Sequence, residues 1–278
     1  MNFNFVLGYS EELAKLELES VFGQTPTKIE AGRYLVELEN LAQVKRLADR
    51  LGGLVEVRSQ PENRLVWRHN SRDWFRRDRL KPFVDRRKGL LPPKIARILV
   101  NLAVGRDEIS SKTLLDPFCG SGTILMEAGT LGLSLVGNDL DLVQLAGAKN
   151  NLDWAGVQAE LFNSDAVKIS QQVSKNIDYI VTEPYMGKVT AREDRLPDLA
   201  KGLKKLYLGC LKDWYKILSP GGRVAMIFPV FEYKSQIYST SDIIDDKHLL
   251  GYNIKTRGLM YFRPLARVKR EIVVLEKT

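Results

Sequence analysis

The part of this chain best suited to small-molecule chemistry is a short glycine-rich run that begins with an acidic residue. Asp116-Pro117-Phe118-Cys119-Gly120-Ser121-Gly122-Thr123 follows the apolar residues Thr113-Leu114-Leu115 and precedes an apolar helical pattern from Ile124. This order predicts a strand, a tight turn and a helix N-terminus. The glycines let backbone N–H groups approach a ligand, and Asp116 can accept hydrogen bonds from a cationic or hydroxylated one.

The same loop also has features of a dinucleotide site. Gly120 and Gly122 form a Gly-x-Gly pair, and Asp139 follows roughly 20 residues later, as in that fingerprint. Leu125, however, occupies the place of the third glycine. A carboxylate at Asp116 would also repel a pyrophosphate, so the loop favours a different cofactor.

Strands and helices alternate around this loop. Expected strands are 113–116, 134–138, 157–162, 177–182 and 223–228, with helical patterns between them, and 254–260 and 271–275 can add a further pair. Such alternation predicts a parallel sheet with helices on both faces, which binds ligands at the carboxyl ends of its strands. We place this domain at residues 91–278, starting near Pro92-Pro93, which suit a helix start.

The first sixty residues predict a separate small domain. Apolar strand patterns at 3–7, 27–38 and 54–57 alternate with two amphipathic helical patterns, the second preceded by the capping residue Asn40. The resulting βαββαβ order indicates a ferredoxin-like α+β domain over residues 1–60. Residues 61–90 then form a connector rich in charged side chains.

The eight-residue loop resembles the S-adenosylmethionine motif of class I methyltransferases, in the form found in nucleic-acid amino-methyltransferases. The resemblance implies a Rossmann-like α/β sheet and S-adenosylmethionine as cofactor. It implies that Asp139, after the second strand, accepts both ribose hydroxyls and that Asp165, after the third, accepts from the adenine amino group. Asp165 could instead cap the segment that follows it. The implied cofactor-binding residues are Asp116, Phe118, Gly120, Gly122, Thr123, Asp139 and Asp165.

A second motif follows the fourth expected strand, at Thr182-Glu183-Pro184-Tyr185-Met186-Gly187. Amino-methyltransferases carry a polar residue, Pro-Pro and an aromatic residue there, which hold a planar amine for attack on the methyl group. An ungapped alignment makes Glu183 the polar acceptor, and a second alignment assigns that position to Thr182. We take Glu183, Pro184 and Tyr185 as the catalytic residues, with Tyr185 contacting the base.

Together these motifs resemble the THUMP-containing RNA methylases, the archaeal and eukaryotic tRNA guanosine-N2 methyltransferases. That family reads Val-Thr-Asp-Pro-Pro-Tyr-Gly where this chain has Glu183 for the aspartate and Met186 for the aromatic residue. The family's THUMP module lies between the two predicted domains, and about thirty residues are too few for a domain of ordinary size. A partner subunit replacing that module is therefore one expectation.

The connector is strongly basic. Twelve Lys and Arg residues stand between Arg64 and Arg97 against three acidic ones, interleaved with Trp67, Trp74, Phe75 and Phe83. Arginine and aromatic side chains together neutralise phosphates and stack on bases, although a solvated linker has the same composition. We assign RNA binding to Arg76, Arg77, Arg86, Arg87 and Lys88.

Composition limits the remaining possibilities. The chain has 278 residues, 44% of them hydrophobic and 27% charged, and a formal net charge of +8. Cys119 and Cys210 suggest neither a disulfide framework nor a metal cluster, and no apolar run is long enough to span a membrane. We expect a cytoplasmic protein without a bound metal.

The sequence therefore predicts an S-adenosylmethionine-dependent RNA methyltransferase that modifies the exocyclic nitrogen of guanosine, with tRNA as its substrate. An alternative is an adenine-N6 or other amino-methyltransferase acting on DNA, rRNA or a protein amide. Another is a cofactor-binding RNA-binding module without turnover, which the altered motif at Glu183 favours.

Overall fold

A computed structural model describes residues 1–8, 10–85, 90–187, 193–245, 251–261 and 268–278. The chain forms two compact units. The first consists of Met1–Lys81 and Leu91–Glu108, and the second of Pro82–Leu90 and Ile109–Thr278.

The first unit is an antiparallel sheet with helices. Its elements are β1 (Asn2–Leu7), α1 (Glu11–Phe22), β2 (Thr27–Glu30), β3 (Arg33–Glu37), α2 (Leu41–Ala48), β4 (Leu54–Ser59), β5 (Leu65–Arg68), α3 (Ser71–Arg79) and α4 (Pro93–Val104). The strand order β2-β3-β1-β4-β5, with every neighbouring pair antiparallel, extends the predicted ferredoxin-like arrangement by one strand. Asn40 caps α2 as predicted, accepting a hydrogen bond from Gln43 N at 2.9 Å.

The predicted boundaries at residues 60 and 90 do not coincide with the compact units. The connector contains β5 and α3, and Asn70 caps α3 by accepting hydrogen bonds from two backbone amides. Helix α4 groups with the first unit because a buried carboxylate ties it there. Glu17 accepts from Gly52 N and Gly53 N, both at 2.8 Å, and from Asn101 Nδ2 at 2.6 Å. These three donors compensate a burial that raises the pKa of Glu17.

The second unit is built on an α/β sheet. Its elements are β6 (Thr113–Asp116), α5 (Thr123–Gly129), β7 (Ser134–Asn138), α6 (Leu142–Ala155), β8 (Glu160–Phe162), β9 (Ile177–Thr182), α7 (Leu196–Trp214), β10 (Leu218–Tyr233), β11 (Gln236–Ser239), β12 (Tyr252–Tyr261) and β13 (Val268–Lys277), with 3₁₀ turns at Ala166–Gln171, Glu193–Arg195 and Ser241–Asp245.

The strand order in the second unit is β12-β13-β10-β9-β6-β7-β8, and β11 pairs with β10. Strands β6 to β10 on this path are parallel, and β13 is antiparallel to both β10 and β12. This confirms the predicted class I methyltransferase sheet with its extra strand pair. Because β7 and β9 lie parallel to β6 on either side of it, the carboxyl ends of the three strands meet at one edge of the sheet.

A buried apolar cluster fixes α7 against this sheet. Trp214 and Tyr207 are fully buried, and Trp214 Nε1 donates to Ala166 O at 3.0 Å. Tyr207 packs edge-to-face on Phe228 of β10, with ring centroids 5.7 Å apart. Burial of each large ring contributes roughly 1.5–3 kcal/mol to stability, so this core holds the edge of the sheet rigidly. In the described part of the chain, no helix combines the length and apolar character needed to cross a membrane.

Candidate active site

Three acidic residues meet at the carboxyl edge of the parallel strands. Asp116 ends β6, Asp139 follows β7 and Glu183 follows β9. The latter two are close enough for their charges to act on Asp116. The structure thus brings together the predicted cofactor loop and the predicted catalytic motif, while the role of each residue remains a prediction.

The glycine loop is held by Asp139. Its Oδ2 accepts a hydrogen bond from Gly120 N at 2.8 Å, and its Oδ1 accepts one from Asp141 N at 2.9 Å. Gly120 and Gly122 have φ values of 50° and 80°, in the left-handed region that favours glycine. A Cβ on Gly122 would also lie only 3.3 Å from the side chain of Ala148 on α6. These contacts explain why small residues stand at both positions.

A buried asparagine joins the loops around this edge, and sequence reasoning missed it. Asn138 Nδ2 donates to Pro117 O and Ser164 O, both at 3.0 Å. Its Oδ1 accepts from Ser164 N at 3.0 Å and Ser164 Oγ at 2.8 Å. One fully buried amide therefore connects the loop after β6 to the loop after β8. A lone Asn before Asp139 carried no pattern that distinguished it in the sequence.

Asp116 is a fully buried carboxyl group. Its Oδ1 accepts from Thr182 Oγ1 at 2.8 Å and from Phe118 N at 3.2 Å. Desolvation nevertheless dominates and raises the pKa of Asp116 to about 8, with a further contribution from the nearby charges of Asp139 and Glu183. A cationic ligand beside this edge would favour the ionised form. The site therefore suits a ligand with net positive charge.

Asp116→Asn should make the apo-protein more stable than wild type at alkaline pH and weaken cofactor binding. Because the folded-state pKa is raised, the stabilisation associated with the protonated group is complete below about pH 4 and is lost as the pH rises through about 8. Between about pH 4 and 8, the free energy of unfolding of the variant should increase relative to that of wild type by roughly 1.4 kcal/mol per pH unit. Denaturant unfolding across the pH range measures the difference, and a constant difference would contradict the assignment.

The remaining predicted cofactor residues lie along the same edge. Phe118 is half-buried against Trp214, with ring centroids 6.3 Å apart, and Thr123 is buried at the start of α5. Asp165 is exposed, and its Oδ1 accepts from Val167 N at 3.1 Å. It thus caps the 3₁₀ turn after β8, which is the alternative role that the sequence left open. Capping leaves lone pairs for a second donor, so its adenine-binding role stays a prediction.

The predicted catalytic motif, from Thr182 to Gly187, contacts α7 at two points. Tyr207 Oη donates to Tyr185 O at 2.6 Å. Gly187 has a φ of 92°, and a Cβ there would lie 2.7 Å from a methyl group of Leu199. Pro184 is buried, whereas the ring of Tyr185 is 50% exposed and is free to contact a planar ligand. The loop therefore presents an aromatic face from a rigid backbone.

The polar side chains of this motif have different surroundings. Thr182 is fully buried and donates to Asp116, whereas Glu183 is the first side chain after β9 that solvent reaches. This contrast favours the ungapped alignment with Glu183 in the polar position. Glu183 Oε1 accepts from Arg270 Nε of β13 at 2.7 Å. Nothing in the sequence indicated this partner.

A further anchor that the sequence did not reveal ties the connector to the glycine loop within the second unit. Asn151 of α6 accepts from Phe83 N at 2.8 Å and donates to Phe83 O at 3.0 Å and Ser121 O at 2.8 Å. The Phe83 ring covers Gly147, where a Cβ would lie 2.1 Å from the ring. The only signal was a glycine inside a helical pattern, which can mark a close approach.

The predicted RNA-binding residues divide into two groups. Arg76 is exposed on α3, and Arg77 stacks on Trp74 with its Cζ 4.3 Å from the ring centroid. Lys94 and Arg97 also lie within 6 Å of the same centroid, at 5.7 and 5.6 Å. Arg86, Arg87 and Lys88 lie outside the described residues. Neighbours of Arg76 on α3, namely Arg72, Arg79 and Phe75, are exposed as well.

Comparisons with known proteins agree with this geometry. Residues 83–249 match the family described as "RMKL-like, methyltransferase domain" (UPF0020). The tRNA (guanine(10)-N2)-dimethyltransferase of Pyrococcus abyssi is 28% identical over 99% of this chain and 83% of that protein. The enzyme of the same name from Methanothermobacter thermautotrophicus is 32% identical over 66% of this chain and 49% of that protein. This chain thus spans about half the length of the latter.

Among solved structures, the crystal structure of TrmN from Thermus thermophilus shares the fold. Its TM-score is 0.55 with 24% sequence identity, covering 88% of this chain and 57% of that one. The sheet order and the glycine loop define a class I, S-adenosylmethionine-dependent methyltransferase. Within that class, the chain belongs to the UPF0020 family of RMKL-like methyltransferase domains.

Proposed function

We propose that this protein methylates the exocyclic N2 nitrogen of guanosine in RNA, with tRNA as the substrate. The observation that carries the proposal is the position of the Glu183-Pro184-Tyr185 loop. It follows β9, the neighbour of the strand that ends at Asp116, and it presents a carboxylate acceptor and an exposed tyrosine. The names of the relatives from Pyrococcus abyssi and Methanothermobacter thermautotrophicus supply the choice of RNA and of nitrogen.

The cofactor pocket in this proposal is acidic. Asp139 keeps free lone pairs that can accept from ribose hydroxyls while it holds Gly120. Because the pKa of Asp116 is raised, a cation that binds nearby favours the ionised carboxylate over the protonated form. Exposed Leu140, directly after Asp139, offers an apolar surface to a flat ring. When bound, S-adenosylmethionine supplies a methyl group activated by its sulfonium charge.

The protein's contribution to the chemistry is orientation and proton acceptance. The guanine amine is a weak nucleophile because its lone pair is delocalised into the ring. Tyr185 stacks on the base, and Glu183 accepts a hydrogen bond from the amine and thereby aims its lone pair at the methyl carbon. Transfer of the methyl group from sulfur to this nitrogen would release one proton from the amine, which the Glu183 carboxylate would accept.

Parallel assays on different polymers test the substrate class. Transfer of labelled methyl groups should occur onto unmodified tRNA and not onto double-stranded DNA of matched length. Incorporation into DNA would instead support the alternative of an amino-methyltransferase with another substrate. Cofactor binding without incorporation into RNA, DNA or protein would support the non-catalytic module.

We further propose that the exposed face of α3 binds RNA phosphates, together with Arg86, Arg87 and Lys88. Arg72, Arg76 and Arg79 are exposed beside the ring of Phe75, which is 58% exposed. A partner subunit that adds to this surface in place of a THUMP module, and a cytoplasmic location, belong to the same proposal.

The double substitution Arg76→Glu and Arg79→Glu should weaken RNA binding and flatten its salt dependence. The slope of log K against log salt should decrease by about one for each phosphate that the variant no longer neutralises. Lys45→Glu with Arg46→Glu is the matched control, because both residues are exposed in the last turn of α2 of the same unit. If the two double variants have the same slope as wild type, α3 does not bind phosphate.

A further inference from the structure

The ion pair between Glu183 and Arg270 lies at the predicted catalytic position. Arg270 Nε donates to Glu183 Oε1 at 2.7 Å, and the two side chains are 13% and 16% exposed. Arg270 Nη1 also contacts Val268 O at 3.5 Å, and its Cζ lies 6.0 Å from the Tyr261 ring centroid. The arginine is therefore held in place by its own strand and by the glutamate.

Within the described part of the chain, each partner keeps hydrogen-bonding capacity. Glu183 Oε2 makes no hydrogen bond to a described residue, and neither does Arg270 Nη2. Because Arg270 contacts Oε1, two carboxylate acceptors and a guanidinium donor are neighbours at this position. A planar base can meet them as a row, with Oε2 first, Oε1 second and the guanidinium third.

This row is complementary to one nucleobase edge. Guanine presents the N2 amine, then N1–H, then the O6 carbonyl, which is a donor, a donor and an acceptor. Adenine would place the N1 lone pair opposite Oε1, and cytosine would place N3 there, so each sets two acceptors against each other. An unpaired buried acceptor costs about 1–3 kcal/mol, which is enough to discriminate between bases.

We propose that Glu183 and Arg270 together read the Watson–Crick edge of guanine, with Arg270 donating to O6. The inference rests on the proposed function, because it concerns the base that enters the same site. The proposal also explains why glutamate replaces the aspartate of the family motif, since the added methylene lets the carboxylate reach Arg270 of β13. Arg270 is then the residue that specifies guanine, while Glu183 contacts the reacting amine.

The test uses an RNA substrate in which 2-aminopurine replaces the target guanine. This base keeps the 2-amino group, lacks O6 and carries a lone pair in place of N1–H, so wild type and variants should methylate it more slowly than guanine, and each variant is compared with wild type on the same RNA. In the intact chain, Arg270→Met should lower kcat/KM for the guanine RNA by roughly 10- to 100-fold more than for the 2-aminopurine RNA, as expected for removal of a hydrogen bond from a charged donor to the base. On the 2-aminopurine RNA the variant loses only the support that Arg270 gives to Glu183, since there the arginine has no partner on the base.

A matched control is a second Arg–Glu ion pair that also includes a residue of β13. Arg223 Nε contacts Glu276 Oε2 at 3.0 Å across β10 and β13, with exposures of 20% and 24%. Arg223→Met should leave both substrates unchanged. Cofactor affinity, measured by calorimetry, should be unchanged in both variants and confirms folding. If Arg270→Met does not fold, Arg270→Gln, which keeps a neutral donor, should show the same selective loss to a smaller degree.

The outcomes separate the inference from the function on which it rests. Equal losses on guanine and 2-aminopurine would show that Arg270 only supports Glu183, and unchanged activity on both would show that it has no role. Either result overturns the reading of O6 while leaving guanine-N2 methylation intact. No methylation of either RNA by wild type would overturn the proposed function itself.

Discussion

Glu183→Gln should lower kcat for methyl transfer by about 10²- to 10⁴-fold, the range for loss of a positioned proton acceptor. The glutamine keeps the volume of the side chain and can still accept a hydrogen bond from Arg270. It loses the negative charge that takes up the amine proton. Cofactor affinity should stay within about threefold of wild type, because Glu183 follows β9 and its side chain makes no hydrogen bond to the described residues of the glycine loop. Rapid single-turnover measurements isolate the chemical step.

Glu276→Gln is the matched control for that experiment. Glu276 of β13 accepts from an arginine Nε, as Glu183 does, but its partner Arg223 lies near the start of β10, away from the carboxyl edge. The control should retain wild-type kcat. If Glu183→Gln retains wild-type kcat, Glu183 is not the proton acceptor, and another polar group of the loop has that role.

Asp139→Ala should weaken S-adenosylmethionine binding by at least about 100-fold. The carboxylate holds two backbone amides, of Gly120 and Asp141, and hydrogen bonds to a charged group contribute about 1.5–3 kcal/mol each. Its removal both loosens the glycine loop and deletes the predicted acceptor for the ribose hydroxyls. Isothermal titration of the cofactor measures the loss directly.

Asp153→Ala provides the comparison for Asp139→Ala. Asp153 is an exposed residue of α6 that pairs with Lys149, a type of surface contact that contributes little. Its removal should leave cofactor affinity unchanged. Asp139→Asn should give an intermediate affinity, since the amide oxygen can serve one of the two backbone donors. Wild-type affinity in Asp139→Ala would contradict the assignment of the ribose site.

The sequence predicted the fold because its determinants are local. Alternating apolar strands and helices specify a parallel sheet, and the glycine turn after Asp116 specifies which edge binds the ligand. The connector was harder to interpret because α3 is almost entirely polar and β5 is only four residues long. Helix α4 groups with the first unit through Asn101 and Glu17, which are 84 residues apart. Contacts at that separation leave no periodic signal.

The residues of the candidate site likewise divide into those that local sequence predicted and those that depend on distant contacts. The positions of Asp116, Asp139 and Glu183 could be predicted because each stands at the carboxyl end of a strand, and neighbouring strand ends meet in space. Arg270 could not be predicted, because it reaches Glu183 from a strand 87 residues later. The hydrogen bonds of Asn138 depend likewise on how the end of β7 meets the loops after β6 and β8. The placement of these three residues at one edge was therefore predictable from the sequence, whereas the residues that contact and position them required coordinates.

The most direct test of the central claim is the identity of the methylated nucleoside. Unmodified tRNA would be incubated with the protein and isotopically labelled S-adenosylmethionine, digested to nucleosides and analysed by mass spectrometry, with Glu183→Gln in parallel. The account predicts labelled N2-methylguanosine or N2,N2-dimethylguanosine with wild type and only traces with the variant. Label in N6-methyladenosine, or equal label with both proteins, would contradict it.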